Sequence, residues 1–148
     1  MARATYQDAI RVKGRLIALT GLEQPEFNNL LPYFNKAFIH RMSMYTVEGN
    51  ERQNRPFTDY ENASLPTIED KLLFVLMFVK QNLTQDVMAF IFGMSSAKVH
   101  EWLKTLMPIL KQALYLSNDL PVKSKQELSE RLKGQESPLF VTTVPSAP

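Results

Sequence analysis

Apolar residues recur at spacings of three and four along most of this chain, and the pattern predicts a succession of helices. Residues 4 to 18 place Tyr6, Ala9, Ile10, Leu16 and Ile17 among charges, a helix that Thr20 and Gly21 would end. Next, Pro25 stands near a helix start. Phe27, Leu30, Leu31, Phe34, Ala37 and Phe38 then mark an amphipathic helix to about Met44. From Thr46 to Pro66 the pattern stops, and TVEGNERQNRPFTDYENASLP mixes turn formers with charges of both signs. A connector of about 20 residues is expected there, either a solvated linker or a functional segment.

Helical signal returns at LPTIEDKLLFVLMFVKQN. Thr67 can cap this helix, with Asp70 three residues on as an acidic variant of a capping box. The helix is apolar nearly all round and should therefore be central. Thr84 caps a short helix, QDVMAFIF, whose Val87, Ile91 and Phe90 are expected to face inward. Gly93 ends it, and Ser95 caps a further helix from Ser96 to about Tyr115, with Pro108 expected to kink or break it. SKQELSERLK is a further helix, with Ser124 and Glu127 as its capping box, and SPLFVTTVPSAP follows as an irregular tail.

Two short helices joined by FGMS are the feature with functional content. A helix-turn-helix needs an abrupt left-handed end to its first helix and an immediate cap on its second, which Gly93 and Ser95 supply. Met94 would tuck under the turn, and Val99 with Trp102 or Leu103 would lock the second helix down. The alternative is an ordinary helical hairpin in a bundle.

The first turn of that second helix departs from its neighbours. Acids are favoured at helix starts, and Glu69, Asp70 and Asp86 follow the rule. Here Ser96, Ala97 and Lys98 appear instead, so hydroxyl, backbone N–H groups and a cation converge where a phosphate would be held. Ser95, Ser96, Ala97, Lys98, His100, Glu101 and Lys104 are accordingly the expected DNA-binding residues. Ala97 suits a thymine methyl and Glu101 a cytosine amino group, while Lys98 and Lys104 suit phosphates. Each taken alone is an ordinary solvated side chain; only the cluster argues otherwise.

Composition narrows the alternatives. At 148 residues, with 45% hydrophobic and 22% charged, the chain suits one compact domain and a tail. Cysteine is absent, which excludes disulfides, thiolate metal sites and cysteine nucleophiles. The longest apolar run, Leu72 to Val79, is far short of the roughly 20 residues of a membrane span. The N-terminus lacks the apolar centre of a signal peptide. A net charge of +2 argues nothing by itself about nucleic acid, although Arg3, Arg11, Lys13 and Arg15 against Asp8 give the start a basic bias. His40 and His100 are too isolated to be metal ligands, and Trp102 and the seven methionines read as core.

The order LPTIEDKLLF, a glutamine followed by apolar residues, FGMSSAKVHEW and the late LMPIL resembles the N-terminal helix-turn-helix of bacterial insertion-sequence transposases of the DDE superfamily, in the insertion sequence five family. The upstream LTGLEQPEFNNLLPYF resembles the segment preceding it there, and the likeness spans roughly residues 15 to 125. In that family a ribonuclease-H-like domain follows, in which three acids hold two divalent metals. The first acid lies in an Asp-x-Thr-Glu stretch just beyond the point where this chain reads GQESPLFVTTVPSAP, with no acid after Glu136. The resemblance thus implies a DNA-binding part without catalytic residues, metal or cofactor. Some members are made from two overlapping reading frames, and the ending FVTTVPSAP suits an out-of-frame terminus.

The expectation is an all-α protein: N-terminal helices over 1–45, a connector over 46–66, a trihelical helix-turn-helix domain over 67–116, and a linker helix with tail over 117–148. Its expected partners are double-stranded DNA carrying the element's terminal inverted repeats and a second copy of the chain or the full-length transposase, with no membrane. The expected location is the cytoplasm, on the nucleoid. The competing function is a helical protein-interaction module that dimerises or regulates transposition.

Overall fold

The computed structural model describes residues 4–44, 65–117 and 125–133. Among the described residues the secondary structure is all helical, as the periodicity predicts. The helices are α1 (Tyr6–Arg11), α2 (Arg15–Thr20), α3 (Gln24–Met44), α4 (Ile68–Gln81), α5 (Gln85–Phe92), α6 (Ser96–Leu116) and α7 (residues 125–133). Of the connector expected over 46–66, all but Leu65 and Pro66 lies outside the described residues. So do Ser124 and the tail.

The helix expected over 4–18 is two helices. Val12 leaves the helical region and Gly14 takes φ +82, a left-handed conformation that lets the chain turn between α1 and α2. α1 and α2 pack on each other, and both reach α4.

α4 is the centre. Every residue from Asp70 to Val79 is buried, and Phe74 meets Phe92 of α5 edge to face with centroids 5.0 Å apart. Its two ends are tied to the N-terminal helices by polar contacts. Tyr6 N–H donates to Asp70 Oδ1 (2.7 Å), and Gln81 Nε2 donates to the carbonyls of Ala18 (2.7 Å) and Leu19 (3.1 Å). These bonds satisfy helix-terminal groups of α1 and α2 that have no partner within their own helices. Lys71, only 1% exposed, donates from Nζ to the Leu65 carbonyl (2.7 Å) and lies over the rings of Phe38 and Trp102 at 5.3 and 5.7 Å. A carbonyl and two aromatic faces thus surround its charge.

α3 makes its broadest contact with α6, and both helices run through an internal proline, Pro32 and Pro108. Of the kink or break expected at Pro108, the break does not occur. A proline removes one backbone hydrogen bond, whereas Leu106, Met107, Ile109 and Leu110 around it are all buried and hold the helix together. Leu128 and Leu132 of α7 complete one hydrophobic core that begins at Tyr6.

Three polar contacts fasten α7, and a pair within it, Arg131 with Glu127, joins them. Lys80 Nζ meets Glu127 Oε1 at 3.3 Å, Arg131 Nε meets the same oxygen at 3.3 Å, and Arg131 also donates to the Lys80 carbonyl at 3.2 Å. Lys125 Nζ donates to the Ser117 carbonyl at 2.6 Å, just past the end of α6. The Lys80 hydrogen bond and charge, followed by Arg131, hold the Glu127 carboxyl below the usual glutamate range.

Candidate nucleic-acid interface

α5, the turn and α6 are each closed by the chemistry their sequence implies. The Thr84 hydroxyl accepts from Val87 N–H (3.2 Å) and starts α5. Gly93 takes φ +66 and ψ +43, and its N–H bonds back to the Ala89 carbonyl. The Met94 N–H bonds to the same carbonyl at 3.1 Å, and its half-buried side chain packs against the core. The Ser95 hydroxyl then accepts from Lys98 N–H (3.1 Å). Val99, Trp102 and Leu103 are all buried and fix α6 by one face.

The inner face of α5 differs from expectation. Val87 is exposed, and so is Phe90, at 70%; Met88 and Phe92 are buried and Ile91 is half-buried. Spacings 87 to 91 and 88 to 92 are equally helical, so an eight-residue apolar helix does not declare its own inner face. The edge contact of Phe92 with Phe74 decides it.

Because α6 is anchored by Val99, Trp102 and Leu103, the sequence-expected residues fall on its other faces. Ser95, Ala97, Lys98 and Lys104 are exposed, and Ser96, His100 and Glu101 are half-buried. Lys98 Nζ pairs with Glu101 Oε2 at 3.1 Å. The bond from Ser95 to Lys98 leaves the N–H groups of Ser96 and Ala97 at the helix start without an intrahelical acceptor. Ala97 and Lys104 are seven residues apart and so lie along one line of the helix.

Two residues that the sequence did not single out for DNA join this face. The Ser96 hydroxyl donates to the Asp86 carboxylate, and Gln85 Nε2 lies 3.3 Å from His100 Nδ1. Both partners come from the first turn of α5. The anion missing from the first turn of α6 is thus supplied across the motif by α5, on the partly exposed side chain of Ser96. Asp86 had a sufficient local explanation as a first-turn acid of α5, which is why its second role escapes a reading along the chain. The only available signal was the ten-residue offset between Asp86 and Ser96, which becomes a contact only once the turn brings the two helices together.

Among the described residues, no three histidine or acidic side chains gather closely enough to hold a metal ion, and no helix is long and apolar enough to cross a membrane. No curated protein and no solved structure matches the chain. Residues 63–116 match the family model of the helix-turn-helix of DDE superfamily endonuclease, a segment that includes α4, the turn and α6 and ends where α6 ends.

Proposed function

We propose that this helix-turn-helix is the DNA-binding module of a DDE-type transposase of the insertion sequence five family, that it recognises the terminal inverted repeats of its element, and that it contributes no catalytic acids. The observation that carries the reading is the outward face of α6. A turn of the required chemistry is followed at once by small side chains and cations, in a segment that matches the helix-turn-helix of this superfamily. Ala97 and Ser96 are small enough for close approach to base edges, and Glu101 offers an acceptor for a cytosine amino group. His100 on α6, with Gln85 of α5 beside it, adds a polar pair that bridges the two helices of the motif. Lys98 and Lys104 serve phosphates, and Ser95 positions the helix start. The working location on this account is the nucleoid.

Competition binding tests it. Duplex carrying the element's ends should bind more tightly than unrelated duplex at physiological salt, by a factor of about 10³ or more. Equal affinity across several end sequences would remove the sequence-specific reading.

A second reading rests on Val87 and Phe90, which give α5 an apolar outer face. On that reading the module joins a second copy of the chain or the full-length transposase and thereby regulates transposition. Self-association through this face would survive high salt, whereas binding through phosphates weakens steeply with it.

A further inference from the structure

The stretch of α6 beyond its reading face leads into a basic groove that the helix-turn-helix does not use. Lys111 stands seven residues after Lys104 on the line that begins at Ala97, and both lysines are exposed. Tyr115, one turn further, is 82% exposed. Against them stands α7, and between the two helices runs an open groove of about 460 Å³ whose lining includes Lys111, Tyr115, Lys125 and Lys133, with Glu130 as its carboxylate among the described residues. The position of α7 is fixed by Leu128 and Leu132 in the core and by the contacts of Glu127, Arg131 and Lys125 with α4 and the end of α6.

Distance decides what such a groove can meet. From Ser96 to Lys111 the helix rises by about 22 Å, while the major groove is about 12 Å wide. With the first turns of α6 at base edges, its later turns lie beyond the groove, where a duplex offers phosphates. We infer that the groove between α6 and α7 is a second DNA contact: Lys111 and Lys133 bind backbone phosphates flanking the sequence that α6 reads, and the Tyr115 hydroxyl donates to the same strand. Among the described residues, three lysines against one carboxylate match a polyanion, and phenol and ammonium groups are both ordinary phosphate donors. Lys125 is occupied by the Ser117 carbonyl and keeps the wall of the groove in place.

The inference rests on the DNA-binding reading, and its test separates the two. Affinity is measured for the full chain, on a core duplex and on the same duplex extended by about one helical turn at each end, over a range of salt. The wild type should gain affinity from the extension. The double variant Lys111→Gln/Lys133→Gln should lose most of that gain, keep its preference for the core sequence, and show a salt slope shallower by about 0.9 for each phosphate contact removed. The variant Lys111→Arg/Lys133→Arg should restore the wild-type slope, which a role in folding alone does not require. Wild-type binding with an unchanged slope and unchanged gain in the glutamine variant overturns the second contact and leaves the first intact. If the wild type binds no duplex at all, both fall.

Discussion

The starts of α4 and α6 are built from the same parts and put to opposite uses. Thr67 and Ser95 each accept the N–H of the residue three positions on, at 3.0 and 3.1 Å. At α4 the third and fourth residues of the helix, Asp70 and Lys71, are driven into the core, and their charges are absorbed by Tyr6 N–H, the Leu65 carbonyl and two aromatic rings. At α6 the third residue, Lys98, stays exposed, and the carboxylate at the first residue is borrowed from α5 through Ser96. One start is a structural junction with its polar groups consumed inside the protein. The other keeps a cation and two helix-start N–H groups in reach of an outside ligand. A capped helix start therefore says nothing about function until the partners of its first turn are known.

Removing the side chain that joins the two regions should have the largest effect. Trp102 belongs to α6, yet its ring faces the Lys71 ammonium at the start of α4. Trp102→Ala should cost about 3 to 5 kcal/mol, read as a lowered denaturation midpoint, because a large buried aromatic leaves a cavity. An unchanged midpoint would mean that α6 is not seated as described.

Next in size is the contrast between the two acids. Asp70 is 5% exposed and accepts a buried N–H, so Asp70→Ala should cost about 1.5 to 3 kcal/mol, the range for hydrogen bonds to charged groups. Asp86 is exposed, and Asp86→Ala should stay within about 0.5 kcal/mol of the wild type. DNA affinity should move the other way round: Asp86→Ala removes a negative charge from the α6 start and should tighten binding. Comparable destabilisation by both changes would erase the distinction drawn between the two helix starts.

The smallest stability effect belongs to Lys98→Glu. A glutamate suits the helix dipole by several tenths of a kcal/mol, but the change also breaks the 3.1 Å pair with Glu101 and sets two acids one turn apart. These terms nearly cancel, so thermal stability should hardly change while DNA affinity falls and the salt slope flattens by about 1. Read from the sequence without the Glu101 pair, the same variant would be expected to gain a little stability.

How legible all this was follows from the range of each interaction. The caps Thr67, Thr84 and Ser95, the turn at Gly93 and Met94, and the long α3 all depend on residues within five positions of one another, and each formed where its pattern lay. Gly14 is also local and was missed, because the apolar spacing on either side outweighs one small residue. The destination of Asp70 was not legible. A capping box and a tie to Tyr6 need the same residue at the same position, and the partner is 64 residues away. The inner face of α5 and the link from Asp86 to Ser96 needed the third dimension for the same reason. Of the site, the exposed residues of α6 were readable from their spacing against Val99 and Trp102, whereas Gln85, Asp86 and the groove beside α7 were not.

The central claim is that the start of α6, and not some other basic surface, meets DNA. Titrating isotope-labelled protein with duplex and following its backbone amide resonances tests this most directly, because both helix starts are seen in one experiment. The account predicts that the amides from Ser96 to Lys104 shift most, with those of Ile68 to Leu72 nearly still. Shifts concentrated at Arg11, Lys13 and Arg15, with the first turns of α6 silent, would contradict it and place the contact on the N-terminal helices.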